Sequence, residues 1–269
     1  MATDPLGAEL LAQLVRTRRS ARDFLLDPVP AELLEAILAD ANWAPSWSNT
    51  QPYRIAVATG ETRERISREL CERFELAAKA QQGGLPGKLR LLLSRRGLPD
   101  GDFSTNFKYP DELQPRRLAT GRGLYQLLGI GRKDFAARNR QMRRNFEFFG
   151  APVAIFIFVH HGLGEFAVLD AGVYLQTLML SAHAHGLGTC AGGALATWAG
   201  PVREEFEVPA DYKLICGLSL GYVSSDPVNR YNPGRGDPAD FRLPVSTLAR
   251  VKDGNGSGAT SGHPAGSAR

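Results

Sequence analysis

Within five positions, Arg18-Arg19-Ser20-Ala21-Arg22 gathers three guanidinium groups and one hydroxyl. Holding like charges so close costs free energy unless an anion neutralises them. A guanidinium presents a rigid fork of N–H donors that matches phosphate oxygens, and a serine hydroxyl adds a short hydrogen bond. The cluster reads as a seat for a phosphate-bearing ligand, with a solvated basic turn as the alternative. A second stretch, Ala44-Pro45-Ser46-Trp47-Ser48-Asn49-Thr50-Gln51-Pro52-Tyr53, sets hydroxyl and amide donors in a row. Such donors can grip the edge of a planar heterocycle. An ordinary capped connection is the plainer use of the same residues.

These stretches are carried by elements whose period is visible in the chain. Ala8 to Arg16 reads as a helix ending just before the basic cluster. Pro30 to Asn42 reads as a second, with Leu33, Leu34, Ile37, Leu38 and Ala41 on one face. Pro45 stops it, and Pro52 launches a strand at Ile55 to Ala58. Glu61 to Ala80 reads as a long helix with Thr62 as its cap, broken by Gln81 to Gly87. Beyond it the pattern is irregular to about Arg132. A stretch of that kind in a compact domain points to a lid or substrate-binding insertion, at about 82–144. Within it, Leu118 to Gly129 and Lys133 to Phe146 have helical periodicity.

Pro152 to His160 is apolar at nearly every position, as in a strand buried on both faces. Leu169 to His185 reads as a central helix, apolar most of the way round and ended by Gly186 and Gly188. Val202 to Phe206 suits a short helix, and Tyr212 to Tyr222 another buried strand. Strands separated by helices imply either an α/β layered sheet or an α+β sheet with mixed strand directions. Residues 1–251 read as a single domain. From Lys252 the chain is mostly Gly, Ser, Ala and Thr, which predicts a disordered tail over 252–269.

Apolar residues make up 43% of 269 positions, enough for a core. No run approaches the 18 apolar residues of a membrane helix, and the start lacks a secretory pattern, so a cytoplasmic protein with no membrane partner is expected. Cys71, Cys190 and Cys216 have no metal-ligand spacing and suit a reducing compartment. His183 and His185, two apart on a helix, face different ways and make a poor chelate, so no metal is expected. The net charge of +4 is unevenly spread: Gln82 to Arg144 carries +9 and the remainder −5. A local basic region suits an anionic substrate or a phosphorylated nicotinamide. It lacks the stacking aromatics and motifs of a nucleic-acid surface.

The two opening stretches, with Pro28-Val29-Pro30 between them, resemble the nitroreductase family of FMN-dependent oxidoreductases. Gly186-Leu187-Gly188-Thr189-Cys190-Ala191-Gly192-Gly193-Ala194 matches a later family signature. Gly217 to Tyr222, Pro227-Val228-Asn229-Arg230 and Arg235 match the terminal one. The resemblance covers roughly Leu10 to Phe241. It implies an α+β fold of three layers, α/β/α, with a mixed, mostly antiparallel central sheet flanked by helices. It further implies an intimate homodimer with FMN at the interface. NAD(P)H would reduce the flavin, and a nitroaromatic or quinone-like acceptor would then be reduced by two electrons in a ping-pong cycle. Reductive dehalogenation, flavin fragmentation, and storage of FMN without turnover are the alternatives.

The resemblance also assigns residues. Arg18, Arg19, Ser20 and Arg22 fall on the phosphate and ribityl contacts, and Arg235 on a second phosphate arginine. Relatives often carry Lys or Arg two residues before it, where this chain has Pro233; Arg230 is the candidate replacement. Ser46 and Asn49, with Pro45 beside them and Gln51 in the same cluster, fall on the loop that contacts the isoalloxazine, often from the partner subunit. Ala191, Gly192 and Gly193 fall where backbone approaches the flavin ring; a plain helix-ending glycine loop is the alternative. Asn145, with Arg144, lies where relatives contact the pyrimidine edge. Tyr109, Arg116, Arg117, Tyr125, Arg132 and Phe135 would roof the site, as in a subgroup that reduces nitrobenzoates. Tyr109, Arg116, Tyr125 and Arg132 are the substrate candidates. No catalytic acid or base is expected, because the chemistry is the cofactor's.

Overall fold

The computed structural model describes residues 5–94, 96–105 and 108–245. The predicted tail over 252–269 lies outside these. One compact unit runs to Pro233 and a second begins at Gly234. In the second, Arg235 donates to the Gly234 carbonyl, and Asp237 caps a 3-10 turn, Pro238–Phe241, by accepting from Ala239 N.

The first unit is built on four strands: β1 (Tyr53–Thr59), β2 (Val153–His160), β3 (Gly188–Gly192) and β4 (Tyr212–Gly221), in the order β1-β2-β4-β3. All three pairings are antiparallel, and a single parallel bridge joins Ser20 to Thr189 at the β3 edge. β2 is central, which explains its unbroken apolar run. Ala154, Phe156 and Phe158 point into one core, and Val153, Ile155, Ile157 and Val159 into the other. Two cores on opposite faces of one sheet make the three-layer α+β architecture that the sequence resemblance implied.

The helices cover both faces. On one side lie α3 (Gly60–Gln82) and α6 (Phe135–Phe146); on the other, α2 (Ala31–Ala41) and α7 (Gly164–Ala184). α1 (Pro5–Thr17) packs on α7. α2 buries Leu34, Ile37 and Ala41, as its spacing predicts. It ends at Ala41, before Pro45, so the proline follows the helix at a distance. α3 starts at Gly60 with Thr59 as cap residue. Thr62 is inside the helix, accepting from Arg65, so it is not the cap. Gly83 ends α3, but the chain resumes at once as α4 (Gly84–Ser94), a helix the glycine-rich sequence hid. α5 (Gln114–Leu127) follows, and α8 (Gly200–Arg203) is shorter than the predicted Val202 to Phe206 element. The glycine stretch after Gly186 is also more regular than expected. Gly186, at φ +79°, ends α7, and Gly188 opens β3.

With its preceding turn, α7 is long and apolar enough to cross a membrane by length and composition, contrary to the run-length expectation. Its buried side carries Asp170 and Tyr174 against the sheet core, so it is built as a core helix on that side. On its other side Leu169 is 60% exposed, and Phe166, at the edge of the buried side, is 48% exposed.

Ser219, on β4, is fully buried and its hydroxyl has no partner. A desolvated, unpaired hydroxyl costs more than a methyl in the same space. Ser219→Ala is expected to leave stability unchanged or raise it by about 1 kcal/mol. A urea midpoint lower than the parent's would contradict this.

Candidate active site

The basic cluster sits at the sheet edge. α1 ends at Thr17, and Arg18 N still bonds to Leu14 O, so the arginines emerge from the last helical turn. The chain then runs beside β3: Ala21 N donates to Thr189 O at 2.9 Å. Ala21 and Phe24 are buried at 4% and 6% exposure and pin the segment, leaving Ser20 and Arg22 half-buried between them. Arg22 donates to the Ser20 carbonyl at 3.2 Å.

Four polar residues clamp this segment from behind. Asn229 accepts from Arg22 N at 2.7 Å and donates to Asp23 O at 2.8 Å, a side-chain imitation of strand pairing. The Asp23 carboxylate takes Arg144 at 2.7 Å and the Ser224 hydroxyl. Arg144 also donates to Phe149 O. Arg144 is thus committed to the frame of the site. Asn145 beside it donates to Met142 O within α6.

The arginine field reaches neighbouring groups. Burial pushes the Cys190 thiol up, with Arg22 and Arg18 opposing it, so Cys190 is an unreactive packing group. Burial, and then the Arg18 charge, push His183 below its usual range. His183 Nε2 lies 2.8 Å from the Thr17 hydroxyl, which itself donates to Gln13 O. His185 instead faces Asp40 at 3.9 Å, so the two histidines do turn to different partners. A histidine whose folded pKa is depressed leaves stability intact above the unfolded value of 6.5 and lowers it as pH falls, here because burial and Arg18 penalise the charged ring. Stability is therefore expected to drop below about pH 6.5, and His183→Gln to flatten that part of the profile. Chemical denaturation from pH 5 to 8 tests it; equal slopes in both proteins would exclude His183.

Ala191 and Gly192 end β3 on the same edge, and Gly193 opens a 3-10 turn. Neither glycine has a positive φ, and a Cβ on either would meet nothing within 4 Å. Neither backbone shape nor packing asks for glycine there. An uncovered backbone on the strand that pairs with the arginine segment is a cradle that a side chain would fill and a planar ligand can approach.

The Ser46 loop is a separate assembly. A 3-10 turn, Trp47–Asn49, holds Ser48, Asn49 and then Gln51 in the left-handed region, at φ 48°, 55° and 47°. Ser46 Oγ accepts from Gln51 N, and Asn49 Oδ1 accepts from the Gln51 side chain. This leaves the Ser46 proton and the Asn49 amide as outward donors. Pro45 is exposed beside them. Trp47 N donates to Asp170 on α7. Asp170 and His183 are thirteen residues apart on α7, so the loop and the arginine cluster are anchored ~20 Å apart along one helix. The sheet gives the same answer. Thr189 is level with Thr59 across the sheet, six residues from the Tyr53 end of β1 and three strands away.

The insertion is partly strapped to the core. Trp198 donates to Leu98 O, Gly101 N to Thr197 O, and Ala199 N and Gly200 N to Asp100. Arg203 and Leu214 N both reach Asp102. Of the candidate roofing residues, Tyr109 lies under Arg117 at 4.8 Å, and Tyr125 under Arg138 at 4.6 Å. Arg116 is on α5 and Arg132 in the exposed turn after it. A cleft of about 580 Å³ opens there, lined by Leu128, Ile130, Arg140, Gln141 and Arg144.

With this geometry, residues 15–222 match the model of the nitroreductase family. The chain belongs to the nitroreductase family. It is 34% identical to a nitrobenzene nitroreductase of Ectopseudomonas oleovorans over 244 residues, covering 90% of this chain and 97% of that one. It is 31% identical to a 4-nitrobenzoate reductase of a Nocardioides species, covering 86% and 88%. The crystal structure of the FMN-dependent nitroreductase NfnB from Mycobacterium smegmatis, in complex with NADPH, superposes with a TM-score of 0.76 at 29% identity, covering 89% and 99%.

Sequence reasoning about this nitroreductase missed Asp23, Asn229, Thr189 and Asp170. Thr189 and Asn229 stood inside the glycine and terminal signatures and Asp23 directly follows the arginine cluster; their polarity beside apolar neighbours marks the place but not the role. Asp170 had one too: it is a carboxylate near the start of a mostly apolar run.

Proposed function

We propose that this nitroreductase binds FMN and uses NAD(P)H to reduce nitroaromatic or quinone-like acceptors by a ping-pong, two-electron cycle. The observation carrying the reading is the β3 edge, where Ser20 pairs with Thr189 and Ala21 N bonds to the Thr189 carbonyl, on the strand that ends in the uncovered Gly192. Bound there, FMN would supply the redox chemistry that links nicotinamide oxidation to reduction of the acceptor. The residues bind and orient. Arg18 and Arg22 neutralise the phosphate, backbone at Gly192 and Gly193 meets the ring, and Ser46 and Asn49 donate to its polar edge. Arginines of the insertion suit an acidic acceptor or a 2′-phosphate. Relatives named for nitrobenzene and 4-nitrobenzoate support this class of acceptor.

The active unit in this reading is a homodimer. The arginine cluster and the Ser46 loop are ~20 Å apart in one chain, so one flavin meets both only if two chains contribute. The apolar side of α7, with Phe166 and Leu169, supports a partner there. Three unpaired cysteines accord with a cytoplasmic enzyme.

Anaerobic mixing with NADPH or NADH, then 4-nitrobenzoate, tests the chemistry. Flavin absorbance should bleach and return; a band that the nicotinamides leave untouched would favour storage. Subunit mixing tests the composite site. Arg22→Ala and Asn49→Ala chains should each lose activity alone, yet a heterodimer of the two regains one intact site and about half of parental turnover. No recovery would place both residues in one chain's site.

A further inference from the structure

Asp170 is 5% exposed, on α7. A buried carboxylate is costly unless well paired. Among the described residues its hydrogen bond is with one backbone group, Trp47 N, at 3.0 Å. The Tyr53 hydroxyl lies near enough to feel its charge but is itself buried without a partner. So the carboxylate is not spent on the nearest side-chain donor. It is aimed at a loop.

That loop needs holding. Ser48, Asn49 and Gln51 all have left-handed backbone, a conformation costing each non-glycine residue of order 1 kcal/mol. Ser46 Oγ closes the loop internally, and the Trp47 ring rests on Phe166 at 4.4 Å between centroids. Those contacts tie the loop to itself and to an exposed ring. The bond to Asp170 instead fixes its backbone to the buried face of a core helix.

We propose that Asp170 is a positioning residue for the flavin: by anchoring Trp47 N it holds the strained loop so that Ser46 and Asn49 present their donors to the ring. This rests on the reading that the loop meets the flavin. Asp170 is ~20 Å along α7 from the arginine cluster, so it acts on the ring end of the ligand and leaves the phosphate end alone.

The test is the Kd of FMN for refilled apo-protein, followed by flavin fluorescence quenching. Asp170→Ala should weaken FMN about tenfold. Asp170→Asn keeps an acceptor for Trp47 N–H and should return to within about threefold of the parent. A purely structural role would show no such rescue in folded protein. A second pair probes the bond from the donor side. Trp47→Ala removes the ring, whereas Trp47→Pro removes the ring and the N–H. The first position of a helical turn tolerates proline, and Ser46 before it is already extended. Trp47→Pro should bind FMN about tenfold more weakly than Trp47→Ala, which decides the matter even if Asp170→Ala fails to fold. The inference is overturned if a Ser46→Ala/Asn49→Ala protein loses affinity while folded Asp170→Ala stays within about twofold of the parent, or if the two Trp47 variants bind alike. If the Ser46→Ala/Asn49→Ala protein itself keeps full affinity, the flavin-loop reading falls first and takes this one with it.

Discussion

An Arg18→Ala/Arg22→Ala protein is expected to purify colourless, with FMN affinity reduced at least about a hundredfold. Each arginine offers charge-assisted hydrogen bonds to a dianionic phosphate, and the segment is fixed before the ligand arrives. Asn229 holds both sides of the Arg22–Asp23 peptide, and Ala21 and Phe24 are buried. Little ordering cost is left for binding, so the loss on removing the charges should be close to the full interaction. Riboflavin, which lacks the phosphate, provides the internal control. The parent should prefer FMN to riboflavin by a wide margin, and the double variant should lose that preference while still binding riboflavin. Arg16→Ala, which removes one positive charge from the exposed face of α1, should leave both affinities as they were. Retention of the parental preference in the double variant would move the phosphate seat elsewhere.

Gly101→Ala is expected to destabilise the protein by about 3 kcal/mol, or to free the 98–105 strap from the core. A Cβ at this position would stand 2.1 Å from the Ala196 carbonyl oxygen and 3.0 Å from that of Thr197. Both obstacles are backbone, so no rotamer change relieves them. The shift must also disturb the neighbours on each side. Asp100 holds Ala199 N, Gly200 N and the largely buried Arg73, while Asp102 holds Leu214 N and Arg203. Urea unfolding with hydrogen exchange separates the outcomes: a lower midpoint reports global loss, and selective exchange over 98–105 reports detachment. A parental midpoint together with parental protection would mean the strap is more compliant than its contacts indicate.

How legible was all this in the chain? Three of the sheet's strands were, β2 most plainly because it is buried on both faces and apolar throughout; β3 was hidden in what reads as a helix-ending glycine stretch. α2 was readable from its one-sided apolar spacing and α7 from its apolar run, though α7 begins at Gly164 rather than Leu169. α4 was not. It is opened by Gly84, contains Pro86 and Gly87, and leaves Leu85, Leu89, Leu92 and Leu93 exposed, so neither propensity nor burial marked it. The arginine cluster and the glycine edge were legible as chemistry, and the structure does bring both to β3. What a linear reading could not supply was the frame behind them. Asn229 does the work of backbone pairing for Arg22 and Asp23, and its residue type alone does not tell that role from an ordinary surface turn. The ~20 Å gap between the two ligand-facing stretches is likewise a property of α7's length and the sheet's register, invisible until both were laid out.

The clamp on Arg22 joins residues 207 positions apart. Arg22 is synthesised 207 residues before Asn229, so its frame is complete only when Asn229 has left the ribosome. Closing so long a loop is slow relative to local helix formation. A nascent chain halted before Asn229 therefore leaves Arg22 N and Asp23 O without the side chain that pairs them.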